Sequence, residues 1–119
     1  MTDKFITGYI ECLFWSSTDD DGEPLDANYS ADDLAPEAIE RISADCADFL
    51  ADEEACHMVC NHGGLECGGQ DFWLTRNGHG VGFWDRGYPQ AVSDALTARA
   101  KAAGSCDAYR GDDGLIYLA

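Results

Sequence analysis

The first 67 residues of the chain hold seventeen Asp and Glu against two basic residues, Lys4 and Arg41. Carboxylates are almost never fully buried unless paired. Whatever this half folds into must keep most of them in water while burying the apolar residues between them. Residues 68–119 hold six acids and five bases (Arg76, Arg86, Arg99, Lys101, Arg110), so nearly all of the net charge of −16 belongs to one half. Such a field repels phosphate backbones and attracts basic surfaces, which disfavours direct nucleic-acid binding and speeds encounter with a cationic partner. Acidity that serves solubility alone accounts for the same total, but a halophilic bias loads both halves alike.

A chain of 119 residues has room for one domain, 1–119, with one core. Its apolar residues, 45% of the total, are enough to build that core and argue against wholesale disorder. No run approaches the roughly 18 apolar residues of a membrane span. The first fifteen residues carry Asp3, Lys4 and Glu11 and lack a small-residue cleavage site, so they do not read as a signal peptide. The expectation is a soluble cytosolic protein with no membrane partner, and six cysteines present as reduced thiols, several of them buried.

Along the chain, Ile6, Tyr9, Ile10 and Leu13 recur at helical spacing over residues 4–15, although Thr7 and Gly8 weaken that helix and leave a strand open. Residues 16–24 form a polar acidic loop that lacks the calcium-binding D-x-D-x-D-G-x5-E spacing. Ser30 to Asp33 and Pro36 announce a helix through about residue 52, with Ile39, Ile42, Cys46, Phe49 and Leu50 at helical spacing. Its other side carries Glu37, Glu40, Asp45, Asp48 and Asp52, followed by Glu53 and Glu54. Such carboxylates recur about every turn, roughly 5–6 Å, a repeat that a phosphate-reading surface could mistake for a backbone. A solvated outer face accounts for the pattern equally well.

Residues 72–76 and 81–85 are β-rich runs around Asn77-Gly78-His79-Gly80, which predicts a hairpin. Tyr88-Pro89 opens a helix that Gly104 closes, and residues 106–110 and 115–118 flank Gly111-Asp112-Asp113-Gly114 as a second hairpin. The expected fold is α+β: an acidic helical half, 1–67, then a ββαββ half, 68–119, forming an antiparallel sheet covered by helices.

Two clusters carry possible chemistry. Cys56, Cys60, His62 and Cys67 could furnish the four tetrahedral ligands zinc requires, but C-x3-C-x-H-x4-C is not an established zinc spacing, and a helix end with buried thiols is the rival reading. The predicted hairpin gathers Trp73, Arg76, Asn77, His79, Trp84 and Asp85. There aromatic faces could stack a base, Arg76 could grip a phosphate, and His79 could act as a base oriented by Asp85. No serine elbow, HExxH or P-loop accompanies them, so the segment reads as a ligand pocket or a structural turn, with no catalytic residues.

The run from Asp71 to Gly87, DFWLTRNGHGVGFWDRG, resembles a motif of a family of small bacteriophage proteins. The resemblance extends to residues 15–37, with Trp15, Asp20-Asp21, Pro24-Leu25-Asp26 and Tyr29, and to the closing Gly111-Asp112-Asp113-Gly114-Leu115-Ile116-Tyr117. The Cys/His cluster of residues 56–67 falls outside the resemblance. No activity transfers residue by residue. What the resemblance implies is a phage gene expressed in the host bacterial cytoplasm, where small accessory proteins inhibit CRISPR and restriction systems, acidic ones as nucleic-acid mimics. The leading expectation is therefore a non-enzymatic inhibitor of a basic host protein or defence complex, acting through Asp19, Asp20, Asp21, Glu37, Glu40, Asp45, Asp48, Asp52, Glu53 and Glu54. A nucleotide-signal binder using the Trp/Arg segment and a zinc-stabilised structural module are the alternatives. The oligomeric state is open, a homodimer included.

Overall fold

A computed structural model of the chain describes residues 2–79 and 81–119. Its elements are helices α1 (Thr2–Ser16), α2 (Leu25–Asn28), α3 (Pro36–Leu50), α4 (Glu53–His62), α5 (Leu65–Arg76) and α6 (Gln90–Ala102), then strands β1 (Ala108–Arg110) and β2 (Ile116–Leu118). The architecture is a mostly helical α+β domain with a two-stranded antiparallel sheet. No helix among the described residues is long and apolar enough to cross a membrane.

The centre of the fold is the packing of α1 against α5, the most extensive interface in the molecule. Phe5, Tyr9, Cys12 and Leu13 turn one face of α1 inward. An aromatic chain runs through the core from there. Phe5 stacks on Phe49 of α3 with centroids 5.4 Å apart, Phe49 meets Phe72 of α5 at 4.5 Å, and Tyr9 meets Trp73 edge-on at 5.2 Å. Such pairs contribute about 0.5–1.5 kcal/mol each beyond their buried area. Gly8 and Gly69 face the partner backbone across this interface: a Cβ on Gly8 would collide with the carbonyl of Glu66, and one on Gly69 with the carbonyl of Phe5. Glycine is needed at both because the two helices meet backbone to backbone.

The hairpin expected over residues 72–85 is not formed. Residues 65–76 are helical, and Phe83–Asp85 make a single 3-10 turn. Two physical causes explain the difference. Every residue from Asp71 to Arg76 is buried, so the segment shows no amphipathic period, and tertiary packing overrides its aromatic and β-branched propensity. Asn77-Gly78, a hairpin-turn signature, is here a helix stop. Gly78 takes φ +70°, its N–H donates to the Thr75 carbonyl, and His79 N–H donates to the Leu74 carbonyl. That is the Schellman arrangement, and it needs the same left-handed glycine that a type I′ turn needs.

The other expectations fared unevenly. Pro36 opens α3, Gln90–Ala102 is the helix that Gly104 closes, and β1 pairs with β2 in the register Ala108–Leu118, Tyr109–Tyr117, Arg110–Ile116. Among the described residues the sheet has these two strands, with a single bridge from Leu34 to Ile116 beside them, so the ββαββ arrangement is replaced by helices packed on helices. Residues 31–33 form a separate 3-10 turn in which the Asp33 carboxylate accepts from Ser30 N–H. The long acidic helix ends at Leu50, and Asp52 caps α4 by accepting from Ala55 N–H at 3.1 Å.

Candidate functional site

The acidic residues divide into those that hold the fold together and those that face water. Asp45 is half-buried and accepts from Arg76 at 2.8 Å, with Arg41 at 3.6 Å on the same oxygen. Asp52 caps α4 and lies 3.7 Å from Arg99. Asp19 turns inward on its own loop, where its carboxylate accepts from the N–H groups of Asp21 and Glu23 and a bridge between Thr18 and Pro24 closes the loop's base. Asp20, Asp21, Glu37, Glu40, Asp48, Glu53 and Glu54 are exposed. The ten residues expected at the partner surface therefore reduce to these seven, on the loop, on α3 and at the start of α4.

The basic residues explain why so little of this charge is balanced. Arg76 has a side chain only 1% exposed. It donates to Asp45, to the Tyr9 hydroxyl at 2.9 Å, and to the carbonyls of Gly104 and Ala103 at 2.8 and 3.0 Å, where α6 ends. Arg99 donates to the carbonyls of Phe49 and Asp48 at the end of α3 and lies over the Phe49 ring. Both place a cation on a helix C-terminus, where the macrodipole favours it. Arg86 donates to Asp71, which is fully buried on α5. Among the described residues, Arg41, Arg76, Arg86 and Arg99 are engaged with Asp45, Asp52 and Asp71 only, leaving twenty carboxylates against Lys4, Lys101 and Arg110.

The ligand-pocket residues are not brought together. Arg76 has its donors committed inside the core, Trp73 is buried with its indole N–H on Ser16 Oγ at 2.7 Å, and Trp84 is 42% exposed. Only Trp73, Asn77 and His79 border a common depression, a polar hollow of about 300 Å³ shared with Ser16, Ser17 and Asp107. Asp85 does not line it. The zinc expectation also lacks its ligand set. Among the described residues no three His, Cys, Asp or Glu are grouped to hold a metal. Cys56 and Cys60 lie one turn apart on α4, His62 stacks on Tyr88 at 4.3 Å, and Cys67 points its thiol at Asp71.

The six cysteines form no disulfide. Burial pushes the thiols of Cys12 and Cys46 up to about 11 and about 12, and raises Cys67 and Cys106, so these four are protonated at neutral pH and poor nucleophiles. Burial likewise raises the Asp71 carboxyl, against the lowering pull of Arg86.

The second face of α1 went unread in the sequence. Beside the core stripe, the partly buried Ile10, the buried Phe14 and the exposed Trp15, with Tyr29, Leu74 and Val81, wall an open groove of about 750 Å³. Trp15 is 62% and Val81 40% exposed along it. The run Cys12-Leu13-Phe14-Trp15 gives the signal: four consecutive apolar residues on a helix cannot all face one core. Comparison with protein-family models, with curated proteins and with solved structures finds no match.

Proposed function

We propose that the chain is a non-enzymatic inhibitor that occupies a basic surface, of the kind that holds nucleic acid, on a host defence complex. One observation carries the reading: four of the seven cations are engaged with three carboxylates, Arg76 buried and Arg41, Arg86 and Arg99 partly exposed, which leaves an outer charge of twenty carboxylates against Lys4, Lys101 and Arg110. Arrayed carboxylates offer a nucleic-acid-binding surface the counter-charge that phosphates provide. The phage setting comes from the sequence resemblance. The working face is Glu37, Glu40 and Asp48 of α3, joined by Asp20 and Asp21 of the acidic loop and by Glu53 and Glu54 at the start of α4; Asp45 and Asp52 support the fold.

The test separates the exposed acids from the paired ones. The triple variant Glu37→Lys, Glu40→Lys, Asp48→Lys keeps every ion pair described above. Expressed in a bacterial host, the wild-type chain is expected to protect an invading phage from a CRISPR or restriction system, and the triple variant to lose about tenfold or more of that protection, equivalent to about 1.4 kcal/mol of binding. Binding to the purified complex should weaken steeply between about 50 and 300 mM salt, as exposed charge is screened. Undiminished protection by the triple variant rules out the acidic face as the working surface.

A further inference from the structure

From the groove between α1 and α5 we infer a docking site for a basic amphipathic helix of the partner protein, whose apolar stripe lies against Ile10, Phe14, Trp15 and Val81 while its Lys and Arg meet carboxylates on the rim. The inference rests on the reading of the chain as a partner-binding protein and adds a second, apolar element to it.

Three features of the groove point to such an occupant. It is apolar along its walls and open, with Trp15 and Val81 left in water, which is the form of a surface that receives side chains from another protein and not of a pocket that encloses a small molecule. At about 750 Å³ it has room for several apolar side chains, the i, i+3, i+4, i+7 anchors of a helix lying in a groove. Its rim is negative. Asp26 stands among the groove residues, and Glu11 stands with the neighbouring Glu66 as two carboxylates in hydrogen-bonding contact, with Gln70 donating to Glu11 at 3.2 Å. The hydrogen bond to Glu11, and then its charge, raise the Glu66 carboxyl, while Lys4 lowers it, so this part of the rim keeps two acids against one base. Arg86 also lines the groove, but its charge is opposed by Asp71 directly beneath it. A phosphate backbone or an anionic lipid surface meets the same repulsion as elsewhere on this chain.

Two synthetic peptides of about 18 residues, five helical turns, provide the test. Both have one composition of Lys, Leu and Trp; in one the apolar residues fall at i, i+3, i+4, i+7, and in the other they are scrambled. Titrated calorimetrically into the full chain, the amphipathic peptide is expected to bind about tenfold or more tighter than the scrambled one, a difference that exceeds what equal charge can produce. Trp15→Glu and Val81→Glu, at exposed positions, should each remove that difference. Because either substitution adds negative charge, lost binding of a cationic peptide then reports apolar contact alone. The lysine triple variant on α3 should weaken both peptides and keep their ratio. Equal binding of the two peptides overturns the groove and leaves the acidic face standing; no binding of either overturns both. Sedimentation showing a dimer that Trp15→Glu dissociates makes a second copy the occupant and overturns the inference as well.

Discussion

At the scale of single residues, Arg76 ties more of the molecule together than any other side chain described. From the end of α5 it reaches Asp45 on α3, Tyr9 on α1 and the two carbonyls that close α6, with its guanidinium over the Phe72 ring at 5.3 Å. Every partner loses a hydrogen bond at once if the side chain is removed, and leaving the other members of a charged network this far buried unpaired costs up to roughly 3–5 kcal/mol. Arg76→Ala should therefore lower the urea-unfolding free energy by about that amount, a large fraction of a small domain's stability. Arg76→Lys should fall between wild type and alanine, because an ammonium can meet Asp45 but cannot span it and the Ala103 and Gly104 carbonyls together. A lysine variant as stable as wild type would mean the guanidinium fork is not what joins these helices. Burial also drives the Tyr9 phenol far above its ordinary range, so it stays a neutral partner for Arg76 at any physiological pH.

At the scale of elements, the glycines of the α1–α5 interface make the sharpest claim. Alanine in place of glycine inside a helix ordinarily gains up to about 1 kcal/mol from propensity. At Gly8 the new Cβ meets the Glu66 carbonyl and at Gly69 the Phe5 carbonyl, both rigid backbone. Overpacking of about 3 kcal/mol should outweigh the gain. Gly8→Ala and Gly69→Ala should each lower the melting temperature, while Thr7→Ala, at an exposed position one residue away, should change it little; stabilisation by Gly8→Ala would show that the helices do not approach as closely as described. The same glycines show why part of the fold was legible and part was not. α3, α6 and the closing hairpin were readable because each has one wet face and one dry one, or a turn with a single meaning. α5 was not: Gly68-Gly69 looks like a loop unless the backbone of α1 lies against it, and Asn77-Gly78 serves a hairpin and a helix stop alike. Helix α1 was readable as a helix, but the groove that Ile10, Phe14 and Trp15 border was not, because its other wall comes from Tyr29, Leu74 and Val81, distant in the sequence.

At the scale of the whole molecule, the uneven charge was evident in the sequence; how it is balanced was not, because pairing depends on which helix ends meet which arginines. With Arg41, Arg76, Arg86 and Arg99 engaged, the remaining surface repels itself, and that repulsion opposes the compact state. Salt should relieve it. At pH 7, raising NaCl from about 10 mM to about 0.5 M shortens the screening length from roughly 30 Å to a few ångströms and should raise the melting temperature by about 5 °C, near 1 kcal/mol for a domain of this size. Acidification should act in the same direction. Asp71, raised by burial, and Glu66, raised by Glu11, bind protons more tightly in the folded state than unfolded, so each disfavours folding as pH rises from the ordinary carboxylate range through its own raised value. Stability should therefore increase as pH falls from neutrality through the raised values toward the ordinary carboxylate range. Asp113 is held below the ordinary range by the Tyr117 hydroxyl and the Leu115 N–H, so its contribution is lost only at still lower pH and does not reverse the trend. Scanning calorimetry over both series checks the argument. A melting temperature indifferent to salt, or one that falls as the pH is lowered from 7, would mean that the carboxylates are balanced by partners within the fold and that the outer surface is not the uncompensated negative field that the proposed partner recognition requires.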